Sequence, residues 1–177
     1  MEEAVSYARA SRATASQPPR QSSRGNLFPH VYYSDCFVRR FQAARFTAPL
    51  AAYLEMTRAA PTWVIRLLAV RDGLVRWLGM TPTRGFSSRT TRPPAVCTGD
   101  DLDFFRVLSS DADKLLLTLE DRHFEVTIEV LLISQPQSQS VYVSSTVNPH
   151  TMVGKGYLRL IAPFHRAVVR SLLNRIP

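Results

Sequence analysis

The segment "KLLLTLEDRHFEVTIEVLLISQPQSQSVYVSSTV", residues 114–147, decides the fold. Its apolar and β-branched residues come in short runs separated by polar breaks, at a spacing that suits strands rather than helices. "KLLLTL" reads as one strand, "ED" (120–121) as a turn and "RHFEVTIEVLLI" as the next strand. The polar break "SQPQSQS" then separates it from "VYVSSTV". With "FFRVLSS" (104–110) just upstream, the pattern predicts an antiparallel meander of about four strands on short connections.

Working outward, "NPHTMVGKG" leads into a long terminal helix from about Val153 to Arg175. Toward the N-terminus, "HVYYSDCFVRRF" is a strand candidate beginning near Val31, rich in aromatic and β-branched residues. In "TAPLAAYLEMTRAAP" (47–61), Thr47 is a plausible N-cap, and Leu50, Tyr53, Leu54 and Thr57 share a helix face. Pro61 opens a second helix, "TWVIRLLAVRDGLVRWLG", with Gly79 as its stop. From Met80 to about Asp101 there is no periodicity, and loops of that length tend to be functional covers or disordered. The order is strand, two helices, meander, long terminal helix, which is an α+β arrangement.

Composition bounds the reading. A chain of 177 residues, 45% hydrophobic and 10% aromatic, can bury one core. Residues 30–177 are expected to form a single domain behind a flexible basic tail, 1–29, rich in Ser, Arg and Gln and too poor in large apolar groups to order itself. The net charge of +8 rests on 22 basic residues, of which only Lys114 and Lys155 are lysine. The arginines are scattered, so nucleic-acid binding is not expected, although the basic tail and the Arg159, Arg166, Arg170 face keep an anionic surface as a weaker reading. Cys36 and Cys97 have no metal-like spacing, and a single disulfide stays open. The four histidines also lack ligand spacing, so neither a metal nor a cofactor is expected. With no signal-type apolar region and no long apolar run, a cytoplasmic address is the expectation. The sequence leaves a homodimer open.

Two helices carry a polar residue where an apolar one belongs. At about 100° per residue, Val64, Leu67, Leu68, Leu74, Val75 and Leu78 fall on one arc, edged by Trp63, Val70 and Trp77. Arg71 falls near the middle of that arc. Either it is buried in an ion pair or snorkels past the edge, or it meets a ligand. On the terminal helix, Leu158, Ile161, His165, Val168, Leu172 and Ile176 form one face, widened by Tyr157, Leu160 and Phe164. His165 alone breaks its apolar character. Pro163, two residues ahead, removes the bond to the Arg159 carbonyl and is expected to kink the helix one turn before the histidine. Here too a core histidine bonded to backbone or carboxylate competes with a working group. In "DRHFEVTIEV", Phe124, Val126, Ile128 and Val130 alternate onto one face, with Arg122 joining them by parity. His123, Glu125, Thr127 and Glu129 take the other face. His123 and Glu125 read as solvated, unless strong sheet curvature makes the inner face wet and leaves that pair to acid–base work.

Three blocks, "YSDCF" (33–37), "PTWVIRLLAVRDGLVRWLGM" (61–80) and "EDRHFEVTIEV" (120–130), precede "STVNPHTMVGKGYLRLIAPFHRAVVRSLL" (145–173). In order and spacing they resemble a bacterial family of domains of unknown function, numbered 2867, from about residue 31 to the C-terminus. The resemblance carries its motif positions onto Asp35, Arg71, Asp121, Arg122, His123, Phe164, His165 and Arg166. It departs from the usual pattern at Glu120 and around Asn148 and His150. That family occurs alone or behind NAD-binding, epimerase-like domains; without a G-x-G-x-x-G, this chain resembles the stand-alone form.

The resemblance also implies a helix-grip fold of the START or Bet v 1 type, in which a curved antiparallel sheet wraps a long C-terminal helix around an apolar cavity. A hydrophobic small molecule is then the expected partner. Arg71, His165 and His123 are the candidate catalytic groups. Arg122, Tyr157, Phe164, Trp63 and Leu67 are the candidate ligand contacts. A histidine exchanges protons near neutral pH and an arginine steadies developing negative charge, which suits cofactor-free cyclisation, dehydration or isomerisation of a polyketide-like substrate. A non-catalytic lipid carrier or sensor would use the same cavity without proton transfer.

Overall fold

A computed structural model describes residues 11–23, 31–77, 82, 85–86 and 93–177. In chain order the elements are β1 (Thr14–Ala15), β2 (Tyr33–Phe41), α1 (Pro49–Arg58), α2 (Thr62–Trp77), β3 (Asp101–Leu102), β4 (Phe105–Ser110), β5 (Lys114–Glu120), β6 (Phe124–Gln135), β7 (Ser138–Pro149) and α3 (Met152–Arg175). The strands form one open antiparallel sheet ordered β1-β2-β7-β6-β5-β4-β3. The fold is α+β, with two helices after the early strands and the long terminal helix packed on the sheet, an arrangement consistent with a helix grip.

The meander is longer and tighter than its polarity suggests. β6 and β7 pair from Phe124↔Pro149 to Gln135↔Ser138, so the expected break at 134–140 shrinks to a turn at Pro136 and Gln137. Gln139 belongs to the ladder and is 1% exposed. Its amide is fully used: Oε1 accepts from the Arg45 and Phe46 amides, and Nε2 donates to the Phe46 carbonyl. A buried polar side chain satisfied in this way costs little. The preceding turn also differs. Asp121 accepts the His123 amide at 2.7 Å through its carboxylate, an Asx-type closure, and so holds Arg122 and His123 in the turn ahead of β6. Counting strand parity through them therefore assigns the wrong faces.

Other expectations shift at element ends. The N-cap of α1 is Ala48, which makes no side-chain cap bond, rather than Thr47, because Pro49 with its preset φ takes the first turn. Part of the expected tail is ordered. Residues 14–15 pair with β2, the Ala13 amide donates to Asn174 Oδ1 at 2.7 Å, and the Ser23 amide donates to Glu129 at 2.7 Å. The open edge of β2 and a buried carboxylate supply the partners that the segment lacks on its own. Residues 1–10 and 24–29 of that tail, the stop at Gly79, Leu78 and residues 80–81, 83–84 and 87–92 of the 80–101 stretch lie outside the described residues.

Register fixes what faces the helices. Leu119, Val126, Val147 and Tyr33 form one cross-sheet row, Leu117, Ile128, Ser145 and Asp35 the next, and Leu115, Val130, Val143 and Phe37 a third. These rows lie beneath the helices, and Leu115, Leu117 and Val130 are fully buried. The reverse face carries Cys36, Thr127, Glu129, Ser144 and Thr146, all buried. Thr127 and Glu129 are shielded there, since the ordered N-terminal segment reaches Glu129. Cys36 is buried and Cys97 exposed, and no disulfide joins them.

α3 runs without interruption through Pro163, which lies on its exposed side. Thr151 caps its start by accepting the Gly154 amide, and the His123 ring nitrogen Nδ1 lies 2.8 Å from the same hydroxyl. At the far end the buried Arg39 guanidinium donates to the carbonyls of Leu173 and Ile176. Gly154 packs so closely on the turn that an added Cβ would overlap the His123 carbonyl oxygen, whereas Gly156 faces open space. Gly154→Ala should therefore destabilise by about 1–3 kcal/mol. Gly156→Ala should stabilise by up to about 1 kcal/mol. Opposite shifts of the urea midpoint would verify this packing, and equal shifts would contradict it.

Candidate functional site

Between the sheet, α2 and the middle of α3 lies a cavity of about 200 Å³. Its wall is largely aliphatic and aromatic, drawn from rows of the sheet and from Leu67, Leu68, Leu158 and Ile161. α3 explains why the space exists. Gly154, Tyr157 and Leu158 near its start and Val169, Leu172 and Leu173 near its end are buried, while Ile161, Ala162, His165 and Val168 between them are only half-buried and line the cavity. Among the described residues, Arg71, His165, Tyr157, Phe164 and Leu67 of the expected set line this one space.

Three expected residues lie elsewhere. His123 is buried at the base of α3, where its ring meets the Thr151 cap, so it serves the helix start and not the cavity. Arg122 is exposed in the β5–β6 turn. Trp63, 44% exposed, lies on the outer side of α2.

Arg71 forms the first polar station. Its Nε donates to the Tyr157 hydroxyl at 2.7 Å, and Nη1 pairs with Asp72 at 3.2 Å. Both charged side chains are close to nine-tenths buried, so the guanidinium is paired where solvent would not screen it. The Tyr157 ring stacks on Phe124 with centroids 5.7 Å apart and planes 11° from parallel. Burial raises the Tyr157 pKa, and the Arg71 charge and hydrogen bond offset part of that rise.

His165 forms the second. Its Nε2 lies 2.9 Å from Ser145 Oγ and 3.7 Å from Asp35 Oδ1. Asp35 and Ser145 are direct cross-strand partners, so β-sheet register delivers both to one histidine. The other Asp35 oxygen accepts the Tyr33 hydroxyl at 2.7 Å, and that hydroxyl accepts Arg166 Nε at 3.1 Å. Asp35 Oδ1 is buried and has no hydrogen-bond partner among the described residues. Burial pushes the Asp35 pKa up, but His165, the Tyr33 hydroxyl and Ser145 outweigh it and hold it below the ordinary 3.8. Burial and the bond to Asp35 push Tyr33 up to about 12.

This is not the geometry of a serine nucleophile relay, in which serine and carboxylate take opposite ring nitrogens. Here both approach Nε2. An ionised Asp35 beside Nε2 favours the proton there, which leaves the Nδ1 lone pair as the basic position. Tyr157 and His165 are eight residues apart on one helix, or about 12 Å along its axis. Arg71 and His165 therefore occupy two stations of a single cavity and do not converge on one atom.

Sequence reasoning passed over Ser145 and Tyr33, and it left Asp35 as a motif position without a role. A signal was present: Ser145 interrupts the alternation of Val141, Val143 and Val147 just as His165 interrupts its helix face. Tyr53, read only as a helix-face residue, lines the cavity and donates to Asp103 at 2.5 Å. Among the described residues no group of His, Cys, Asp and Glu could hold a metal ion, and no helix is long and apolar enough to cross a membrane.

The family model described as "Protein of unknown function (DUF2867)" matches residues 27–172, and the chain belongs to that family. Comparison with curated proteins and with solved structures gives no match.

The Asp35 shift has a stability consequence with a definite sign. A carboxyl whose folded pKa is depressed stabilises the fold above its unfolded pKa and loses that contribution as pH falls through the folded value. The stability difference between the wild type and Asp35→Asn should therefore narrow as pH drops from about 5 to about 2. Urea unfolding at a series of pH values measures it, and a gap independent of pH would refute the pairing with His165.

Proposed function

We propose that this member of the DUF2867 family binds a hydrophobic, oxygenated small molecule in the cavity and transfers protons on it, in a reaction of the isomerase, dehydratase or cyclase type. One observation carries the reading. The two polar residues that break the apolar faces of α2 and α3, Arg71 and His165, line the same cavity, and a buried carboxylate stands behind the histidine. Arg71 with Tyr157 anchors an oxygen at one end of the ligand. His165, oriented by Asp35 and Ser145, removes or returns a proton about two helical turns away. A ligand meeting both stations is elongated. The cavity lies below the roughly 300–1,000 Å³ of drug-sized pockets, which favours one or two rings over a large polyketide.

A carrier or sensor is the second reading. Arg71 already has a counter-ion in Asp72, and the distance between the stations suits holding a ligand at both ends as well as transforming it.

A two-ring ketone with an oxygen at each end, 6-methoxy-2-tetralone, separates the two. Exchange of the protons beside its carbonyl for deuterium in D₂O can be followed by proton NMR. The enzymatic reading expects exchange above the buffer rate, reduced by about 100-fold or more in His165→Gln. Binding without accelerated exchange would leave the carrier.

A further inference from the structure

We infer that the oxygen held at the Arg71 station belongs to a neutral acceptor group (ketone, ester or ether), that the Tyr157 hydroxyl is its donor, and that the cavity discriminates against carboxylates. This rests on the ligand-binding reading above and narrows it to a substrate class.

The first argument is a count of hydrogen bonds. The Tyr157 oxygen accepts from Arg71 Nε at 2.7 Å, which leaves its own proton free to donate. Among the described residues that proton has no acceptor, although Tyr157 is 9% exposed and lines the cavity. A buried donor without an acceptor is costly, so the wall is complete only when something in the cavity accepts this proton. The bond from Arg71 also polarises the phenol and strengthens it as a donor.

Charge gives the second argument. Arg71 would be the obvious partner for a carboxylate, but Asp72 already sits 3.2 Å from Nη1, with their side chains 12% and 10% exposed. An anionic ligand would add a second negative charge against one cation inside an apolar wall, and its desolvation would have no fresh counter-charge to offset it. The other station offers no relief, because the group behind His165 is the Asp35 carboxylate. A neutral acceptor uses the free donor and leaves the existing pair undisturbed.

Rigidity is the third. Stacking on Phe124, with the Arg71 guanidinium carbon 5.9 Å from the ring centroid, holds the Tyr157 ring in one orientation. A donor fixed in this way selects by position as well as by polarity.

Three matched probes test this on the full chain at pH 7.5: 2-acetylnaphthalene (neutral ketone), 2-naphthoate (carboxylate) and 2-ethylnaphthalene (hydrocarbon), titrated by calorimetry or ligand-observed NMR. The ketone should bind about 5- to 10-fold more tightly than the hydrocarbon, the gain from about one hydrogen bond. It should also bind more tightly than the carboxylate. Tyr157→Phe should bring the ketone down to the hydrocarbon's affinity. A carboxylate that binds as tightly as the ketone, and loses affinity in Arg71→Gln, would overturn the inference in favour of an anion site. Equal ketone and hydrocarbon affinities would overturn it while leaving the cavity reading intact. Failure of all three probes to bind would overturn both. Should Tyr157→Phe fail to fold, the ranking of the three probes on the wild type still decides.

Discussion

The terminal helix is fastened to the sheet at both ends, and the cavity follows from that. At its start Thr151 caps the Gly154 amide, the His123 ring meets the cap, and Gly154 lies against the His123 carbonyl. At its end Arg39, from β2, donates to the carbonyls of Leu173 and Ile176. Hydrogen bonds from a charged group are each worth about 1.5–3 kcal/mol, and these also satisfy carbonyls that a helix end leaves bare. Between the fastenings the helix needs no close contact with the sheet. Its middle stretch is half-buried, and the space left between it and the sheet is the cavity.

The sheet contributes the polar groups behind His165 through register alone. Asp35 and Ser145 belong to strands far apart in sequence, yet they are cross-strand partners in one row under the helix. A shift of one residue in the β2–β7 pairing would turn the side chains of one strand to the other face. The same row carries Leu117 and Ile128, so the carboxylate and the hydroxyl sit within an otherwise apolar strip. That setting confines the Asp35 charge and directs it at His165.

Much of this was legible from residues. The helical period placed Arg71 and His165 on inward faces, because a lone polar residue on an apolar stripe is visible at any spacing of three and four. The meander was legible from short apolar runs, although β6 and β7 extend through the polar stretch 134–140, where Gln139 is satisfied by backbone groups of the loop at 45–46. Arg122 and His123 were misread because strand parity assumes a strand, and the Asp121 carboxylate closes a turn there instead. Residues 11–23 were expected to be loose because their composition cannot order them alone; their partners are the edge of β2 and the buried Glu129.

What the sequence by itself determined is periodicity: which residues face inward on each element, the order of those elements, and the two places where polarity breaks the pattern. Periodicity is a local property, set by dihedral angles that repeat along the chain. Only the tertiary structure decided which inward faces meet. It joined Arg71 to Tyr157 and Asp72, put Asp35 and Ser145 on the same nitrogen of His165, moved His123 from the candidate site to a helix cap, and set the two stations about two turns apart. Contacts between distant segments depend on register and packing, and no spacing along one segment encodes them.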